Sequence, residues 1–131
     1  SYLTPRLFTH LGIKRPTWET DPLGNSFGAG GLFLTLSELH KFGLFYLNKG
    51  SWNGKQILSE KWIEESTSAS DTDDYGYLFW RGEHNSFRAD GKYSQITMVL
   101  PEKNAVVSLV AECRKGEELM RALYDLVCAK I

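Results

Sequence analysis

The residues that could do chemistry in this chain are scattered, so their spacing decides which of them can act together. A catalytic serine needs a base within hydrogen-bond reach. The lysine-activated form of that pair, Ser-x-x-Lys on one turn of helix, occurs nowhere in the sequence, and no nucleophile elbow is expected. His10, His40 and His84 stand far apart. The first two fall on predicted helices and the third in a predicted turn, so they read as helix-face or solvated histidines. Cys113 and Cys128 match no metal-ligand spacing and read as unpaired buried thiols. Asp71, Asp73 and Asp74 invite a calcium loop, but their spacing and the lack of a terminal glutamate favour a solvated loop. The glycine-dense stretch Ser26-Phe27-Gly28-Ala29-Gly30-Gly31 lacks the lysine and hydroxyl of a phosphate loop and the spacing of a dinucleotide fingerprint. It reads as a backbone passage too tight for side chains. Neither a metal nor a cofactor is expected. One stretch keeps a chemical possibility: Asp90-Gly91-Lys92 interrupts a strand, where backbone N–H groups could face a ligand. Its structural alternative is a β-bulge.

Periodicity gives the elements that would position these residues. Ile96, Met98 and Leu100 alternate with Gln95, Thr97 and Val99. Ala105 to Ala111 is the apolar, β-branched run of a strand covered on both faces. Pro101-Glu102-Lys103-Asn104 between them is a turn. Upstream, Tyr75 to Arg81 reads as a strand and Phe87 to Ala89 as the start of the next. Tyr2 to Leu11 has the apolar spacing of an amphipathic helix that Gly12 ends. Trp18 pins the following loop to the core. Thr35-Leu36-Ser37-Glu38 is a capping box opening a helix to about Asn48. Asn53-Gly54 marks a turn. Ser59 caps a second helix to about Thr67 that buries Trp62 and Ile63. A closing helix runs from Gly116 to Ile131. Helices, then an antiparallel meander, then a helix predict an α+β fold. The chain is expected to form one packed unit over 1–131, with a helical region over 1–70 and a three-stranded antiparallel meander and closing helix over 75–131.

Composition narrows the classes of function. A hydrophobic content of 42% and an aromatic content of 13% are those of a chain that builds a core. A net charge of −1 offers no electrostatic footprint for nucleic acid or an acidic membrane surface, so no nucleic-acid partner is expected. No apolar run approaches the roughly 18 residues of a membrane helix. The chain opens Ser1-Tyr2-Leu3 without a methionine, and a piece of a longer protein is expected.

Two runs carry a resemblance. Gly30-Gly31-Leu32-Phe33-Leu34-Thr35-Leu36-Ser37-Glu38-Leu39-His40-Lys41-Phe42-Gly43 is followed by Leu47-Asn48-Lys49-Gly50-Ser51-Trp52-Asn53-Gly54-Lys55-Gln56-Ile57-Leu58-Ser59. Their order and spacing resemble the serine β-lactamase family, the group of class C β-lactamases, DD-peptidases (penicillin-binding proteins) and related esterases and amide hydrolases. Tyr75 to Trp80, Phe87 to Gln95, the Leu100-Pro101-Glu102 hairpin and the helix after Gly116 are similar to the family's later strands and last helix. The resemblance covers nearly the whole chain.

It implies a five-stranded antiparallel sheet flanked by helices, of which this chain would hold the C-terminal portion. The family's Ser-x-x-Lys and Tyr-x-Asn elements would precede Ser1. Tyr46-Leu47-Asn48 spells Tyr-x-Asn but sits in a helix, and is not taken as the catalytic tyrosine. The family's Lys/His-x-Gly motif falls on Ala89-Asp90-Gly91, so a cationic side chain is replaced by Ala89. Ala89, Asp90 and Gly91 are thereby the implied substrate-binding positions, and Lys92 the residue whose backbone N–H is half of the oxyanion hole. The Gly28 to Gly31 passage would border the cleft. The implied partner is a small molecule or peptide with an amide or ester bond. An exposed sheet edge would invite self-association. Localisation stays open: the family is often exported to the cell envelope, while unpaired cysteines point to the cytoplasm.

Overall fold

The computed structural model describes residues 2–70 and 74–131. Most of the acidic run thus lies outside the described residues, and Asp74 at its end is exposed. The architecture is α+β: an antiparallel sheet between two helical layers. Two small hairpins, β1 (Thr17–Trp18) with β2 (Leu32–Phe33) and β3 (Ser51–Trp52) with β4 (Lys55–Gln56), lie in the stretch expected to be helical. The second is closed by Asn53 and Gly54, both left-handed, as a two-residue hairpin turn requires.

The main sheet has four strands, not three, in the order β5 (Trp80–Arg81), β6 (Phe87–Gly91), β7 (Gln95–Leu100), β8 (Ala105–Val110). The strand expected from Tyr75 shrinks to β5. Ahead of it the chain curls: Gly76 N–H bonds to Phe79 O, Leu78 N–H bonds to Gly76 O, and Leu78 adopts a left-handed φ. Gly76 lies against the Ser68 carbonyl, where a Cβ would collide. A second correction concerns Asp90-Gly91-Lys92. The β6 ladder stays in register through Asp90↔Ile96 and Gly91↔Gln95, so no bulge interrupts it. The reversal comes after Gly91, where Tyr93 and Ser94 take left-handed φ values of 63° and 69°.

Strand β7 is the centre of the molecule. Thr97 and Val99 meet α1 (Leu36–Leu47), while Ile96, Met98 and Leu100 meet the closing helical segment. All residues of β7 after Gln95 are buried. The strand covered on both faces is therefore β7. β8, expected in that role, is the half-buried edge. On the α1 face the core gathers Phe8, Leu11, Ile13, Phe45, Tyr46, Phe87 and Val99; on the other, Leu123 and Cys128 close over β7.

The helices follow their caps. α1 starts at Thr35, whose hydroxyl accepts the Glu38 N–H (3.2 Å) while the Glu38 carboxylate accepts the Thr35 N–H (2.9 Å). α2 (Glu60–Thr67) starts at Ser59, which accepts the Trp62 N–H. Ile63 is buried, but Trp62 is half-exposed and rests on Tyr77 instead of entering the core. The segment expected as a first helix is a single wide turn, Thr4–Phe8, in which the Thr9 N–H reaches back to Thr4 O. The closing helix begins as α3 (Gly116–Ala122) and continues through a wider stretch, Leu123–Val127, to a tight last turn, Cys128–Lys130.

Candidate functional site

The end of β6 is where the implied site residues fall. Side chains of a strand alternate between faces. Ala89 stands on the α1 face, half-buried against the larger core. Asp90 turns to the opposite face, where its carboxylate accepts from Arg88 Nε at 3.0 Å. Arg88 in turn lies 5.9 Å from the Trp80 ring. The structure therefore brings the four positions into one strand end but separates the Ala89 and Asp90 side chains by the thickness of the sheet.

Backbone direction alternates too. The Gly82 N–H to Ser86 O bond sets the phase of the β5–β6 ladder, so Arg88 exchanges bonds with Trp80. Asp90, two residues on, presents its N–H and C=O the same way, past the end of β5, where no strand among the described residues pairs with it. The turn that follows is closed by the Ser94 N–H to Gly91 O bond. Lys92 takes its first central position, and its N–H joins none of the turn's hydrogen bonds.

This turn is costly to hold. Two consecutive non-glycine residues in the left-handed region each carry about 1–2 kcal/mol of steric penalty. The penalty is offset by anchoring: Cys113 N–H donates to Tyr93 O at 3.0 Å, Ala111 N–H to Ser94 O at 3.2 Å, and Ser94 Oγ to Cys113 O at 3.3 Å. Lys92 Nζ and the Arg114 guanidinium both stand over the Tyr93 ring, at 4.9 and 5.5 Å. Asp90, Gly91, Tyr93, Ser94 and Arg114 line a shallow recess there. Cys113, expected buried, is half-exposed on its wall. A strained backbone at the tip of a sheet, held by its neighbours, is a common feature of ligand-contacting loops.

The glycine-dense loop is only partly the passage expected. A Cβ on Gly28 or Gly30 would meet open space. Gly31 alone needs its glycine: its φ is +77° and a Cβ would press on Glu19. Trp18, expected to pin the loop over 13–25 to the core, does pack against it, and its indole N–H also holds the glycine-dense loop by donating to Phe27 O (2.9 Å) and Gly30 O (3.0 Å). Gly24-Asn25-Ser26-Phe27-Gly28 does carry Gly-x-Ser-x-Gly spacing, against the expectation that no elbow is present. It lies in the loop between β1 and β2, bridged at Ser26 to Thr20. A nucleophile elbow requires a strand-to-helix turn, so Ser26 is not placed for that role.

Another contact was invisible to local spacing. His40 Nδ1 on α1 lies 2.9 Å from Ser108 Oγ on β8, and Ser108 Oγ lies 2.9 Å from Thr97 Oγ1 on β7. Serine and histidine 68 positions apart thus make the nucleophile–base distance. Ser108 shares its hydroxyl with Thr97, and no acidic partner for His40 Nε2 is found among the described residues. The three groups tie α1 to the sheet. Tyr46, set aside as a catalytic tyrosine, is buried in the core, and burial raises its hydroxyl pKa above the usual 10.0. Among the described residues no three His, Cys, Asp or Glu side chains converge as a metal site.

A half-open antiparallel sheet with helices on both faces and a backbone-lined strand end is the class of architecture this chain presents. The same fold is found in part of a Bacillus anthracis protein provisionally named a 6-aminohexanoate-dimer hydrolase, with a TM-score of 0.81 at 21% sequence identity. The match covers 95% of this chain and 36% of that one, so the chain spans about a third of the longer protein. No family model and no curated protein matches the sequence.

Proposed function

We propose that this chain is the C-terminal part of a serine hydrolase of the β-lactamase and penicillin-binding type, acting on an amide or ester through an acyl-enzyme and inactive by itself. The observation that carries this reading is the strand end: the Lys92 N–H, unused by its own turn, sits beside the open edge of β6. A tetrahedral oxyanion needs such preorganised donors, and a backbone donor does not depend on side-chain identity. The sequence resemblance and the fold shared with a protein named as a hydrolase support it. That protein's named substrate contains an amide, which agrees with the amide-or-ester class. The serine, its lysine and the tyrosine are supplied by the rest of the longer protein. Serine attacks the carbonyl, lysine and tyrosine relay the proton, and water then releases the acyl group. Ala89 in place of a lysine or histidine removes a cation that would hold a substrate carboxylate, so esters and neutral amides are the favoured substrates.

The test uses the full-length protein. A fluorophosphonate probe is expected to label one serine in a Ser-x-x-Lys segment outside these residues. Lys92→Ala keeps the backbone donor and is expected to leave kcat within a few-fold. Lys92→Pro deletes the N–H at a turn position that proline favours, and is expected to lower kcat by about 10²–10³. Equal activity in the two variants, with the fold intact, removes Lys92 from the oxyanion hole. A second reading, a non-catalytic binding member, is favoured by the same Ala89 substitution; failure of the probe to label any serine selects it.

A further inference from the structure

The turn that presents the Lys92 N–H is built on two residues ill-suited to their dihedrals. Tyr93 and Ser94 hold φ values of 63° and 69°, which glycine would adopt without penalty. Other residues stay there only when their surroundings over-determine them. Here the surroundings are the segment just past β8. Cys113 grips both residues through its backbone: its N–H donates to Tyr93 O at 3.0 Å, and its carbonyl accepts from Ser94 Oγ at 3.3 Å. The Ala111 N–H donates to Ser94 O, and the Ser94 N–H closes the turn on Gly91 O, both at 3.2 Å. Ser94 is thus fastened through its N–H, its carbonyl and its hydroxyl, and it is buried. The two backbone groups would be there with any residue but proline. What serine adds over glycine at this position is the hydroxyl.

We infer that Ser94 is a positioning residue for the oxyanion hole: its hydroxyl locks the Gly91–Ser94 turn to Cys113 and so fixes where the Lys92 N–H points. This role rests on the one proposed above for that N–H. An oxyanion donor acts only within about 2.7–3.1 Å of the developing charge, and a misplacement of about 1 Å costs as much as 10²-fold in rate. The Lys92 N–H joins none of the turn's hydrogen bonds, so it is aimed by the residues on either side. Before it, the Gly91↔Gln95 pair fixes the chain in the β6–β7 ladder. After it, Tyr93 and Ser94 do so from the left-handed region. Without the hydroxyl, the Cys113 carbonyl releases Ser94. The left-handed pair then relaxes toward ordinary φ and turns the peptides ahead of it, the Lys92 N–H among them.

The experiment uses the full-length protein and an activated aryl ester. Ser94→Ala removes the hydroxyl and keeps the strain; Ser94→Gly removes the hydroxyl and relieves the strain. Both are expected to lower kcat and kcat/KM alike by about tenfold, with KM within about twofold, as befits an interaction made in the transition state. The melting temperature should nevertheless be higher for Ser94→Gly than for Ser94→Ala. In a Lys92→Pro background no N–H is left to aim, so Ser94→Ala is expected to cost nothing further. A folded Ser94→Ala variant with the parent's kcat overturns the role of Ser94. So does a Ser94→Gly variant that regains the parent's rate, a full additive loss on top of Lys92→Pro, or a failure of both Ser94 variants to fold. In those cases the oxyanion-hole reading still stands if Lys92→Pro is slower than Lys92→Ala. Equal rates in the two Lys92 variants, or a full-length protein in which no serine is labelled, remove that reading, and the role of Ser94 falls with it.

Discussion

At the scale of single residues, Gly43 shows how a local rule is overruled by packing. In an exposed helix, glycine to alanine is favourable by about 1 kcal/mol. Gly43, however, is buried where α1 crosses the sheet, and a Cβ there would collide with Thr97 Oγ1 and Val106 Cγ1. Overpacking of this kind costs about 1–3 kcal/mol, so Gly43→Ala is expected to destabilise the chain on balance. Its urea midpoint should fall below that of the parent; a midpoint that rises would mean the sheet yields more easily than the contacts imply. The residue scale is also where sequence reading was least able to see the site. His40 and Ser108 are 68 positions apart and meet only because α1 crosses the sheet. Likewise, Ala89 and Asp90 are neighbours in sequence but lie on opposite faces of β6, which becomes plain only when the register with Thr97 and Ile96 is known.

At the scale of elements, local chemistry was a good guide wherever it was strong. Thr35 and Glu38 announce α1, Ser59 announces α2, and Asn53-Gly54 announces the β3–β4 turn, and each forms as its residues require. The misplaced turn after β6 failed for the same physical reason that makes it interesting. Gly91 looked like the residue for an unusual dihedral, yet the left-handed positions fall on Tyr93 and Ser94, held by Ala111 and Cys113 from the segment just past the end of β8. Burial of β7 in place of β8 was likewise set by strand order, which periodicity does not contain. The capping box permits a direct measurement. Thr35→Ala removes an acceptor for the Glu38 N–H and a partner of its carboxylate, and is expected to cost about 1 kcal/mol. Thr35→Ser keeps the oxygen and should restore most of that. If both variants unfold at the same urea concentration, the cap is not holding α1.

At the scale of the whole molecule, β7 joins two cores, and each contains one group whose protonated form the fold favours. Tyr46 belongs to the core on the α1 face and Cys128 to the core under the closing helix. Burial raises the tyrosine hydroxyl above its usual 10.0 and the thiol above its usual 9.0; Lys103 opposes the thiol's rise but does not cancel it. A group whose pKa is higher in the folded state contributes stability that is fully present below its unfolded value and is lost as pH climbs through the folded one. The contribution of both groups to the urea midpoint is therefore expected to be full and constant up to about pH 9, then to decline as Cys128 is drawn toward its thiolate, and more steeply as Tyr46 follows. Cys128→Ala should remove the earlier part of that decline and Tyr46→Phe the later part. Because both cores share β7, each variant should still unfold in one transition seen alike by tryptophan fluorescence and far-UV circular dichroism. Separate transitions would mean that the sheet does not couple its two faces. An unchanged alkaline decline in both variants would assign it to other groups.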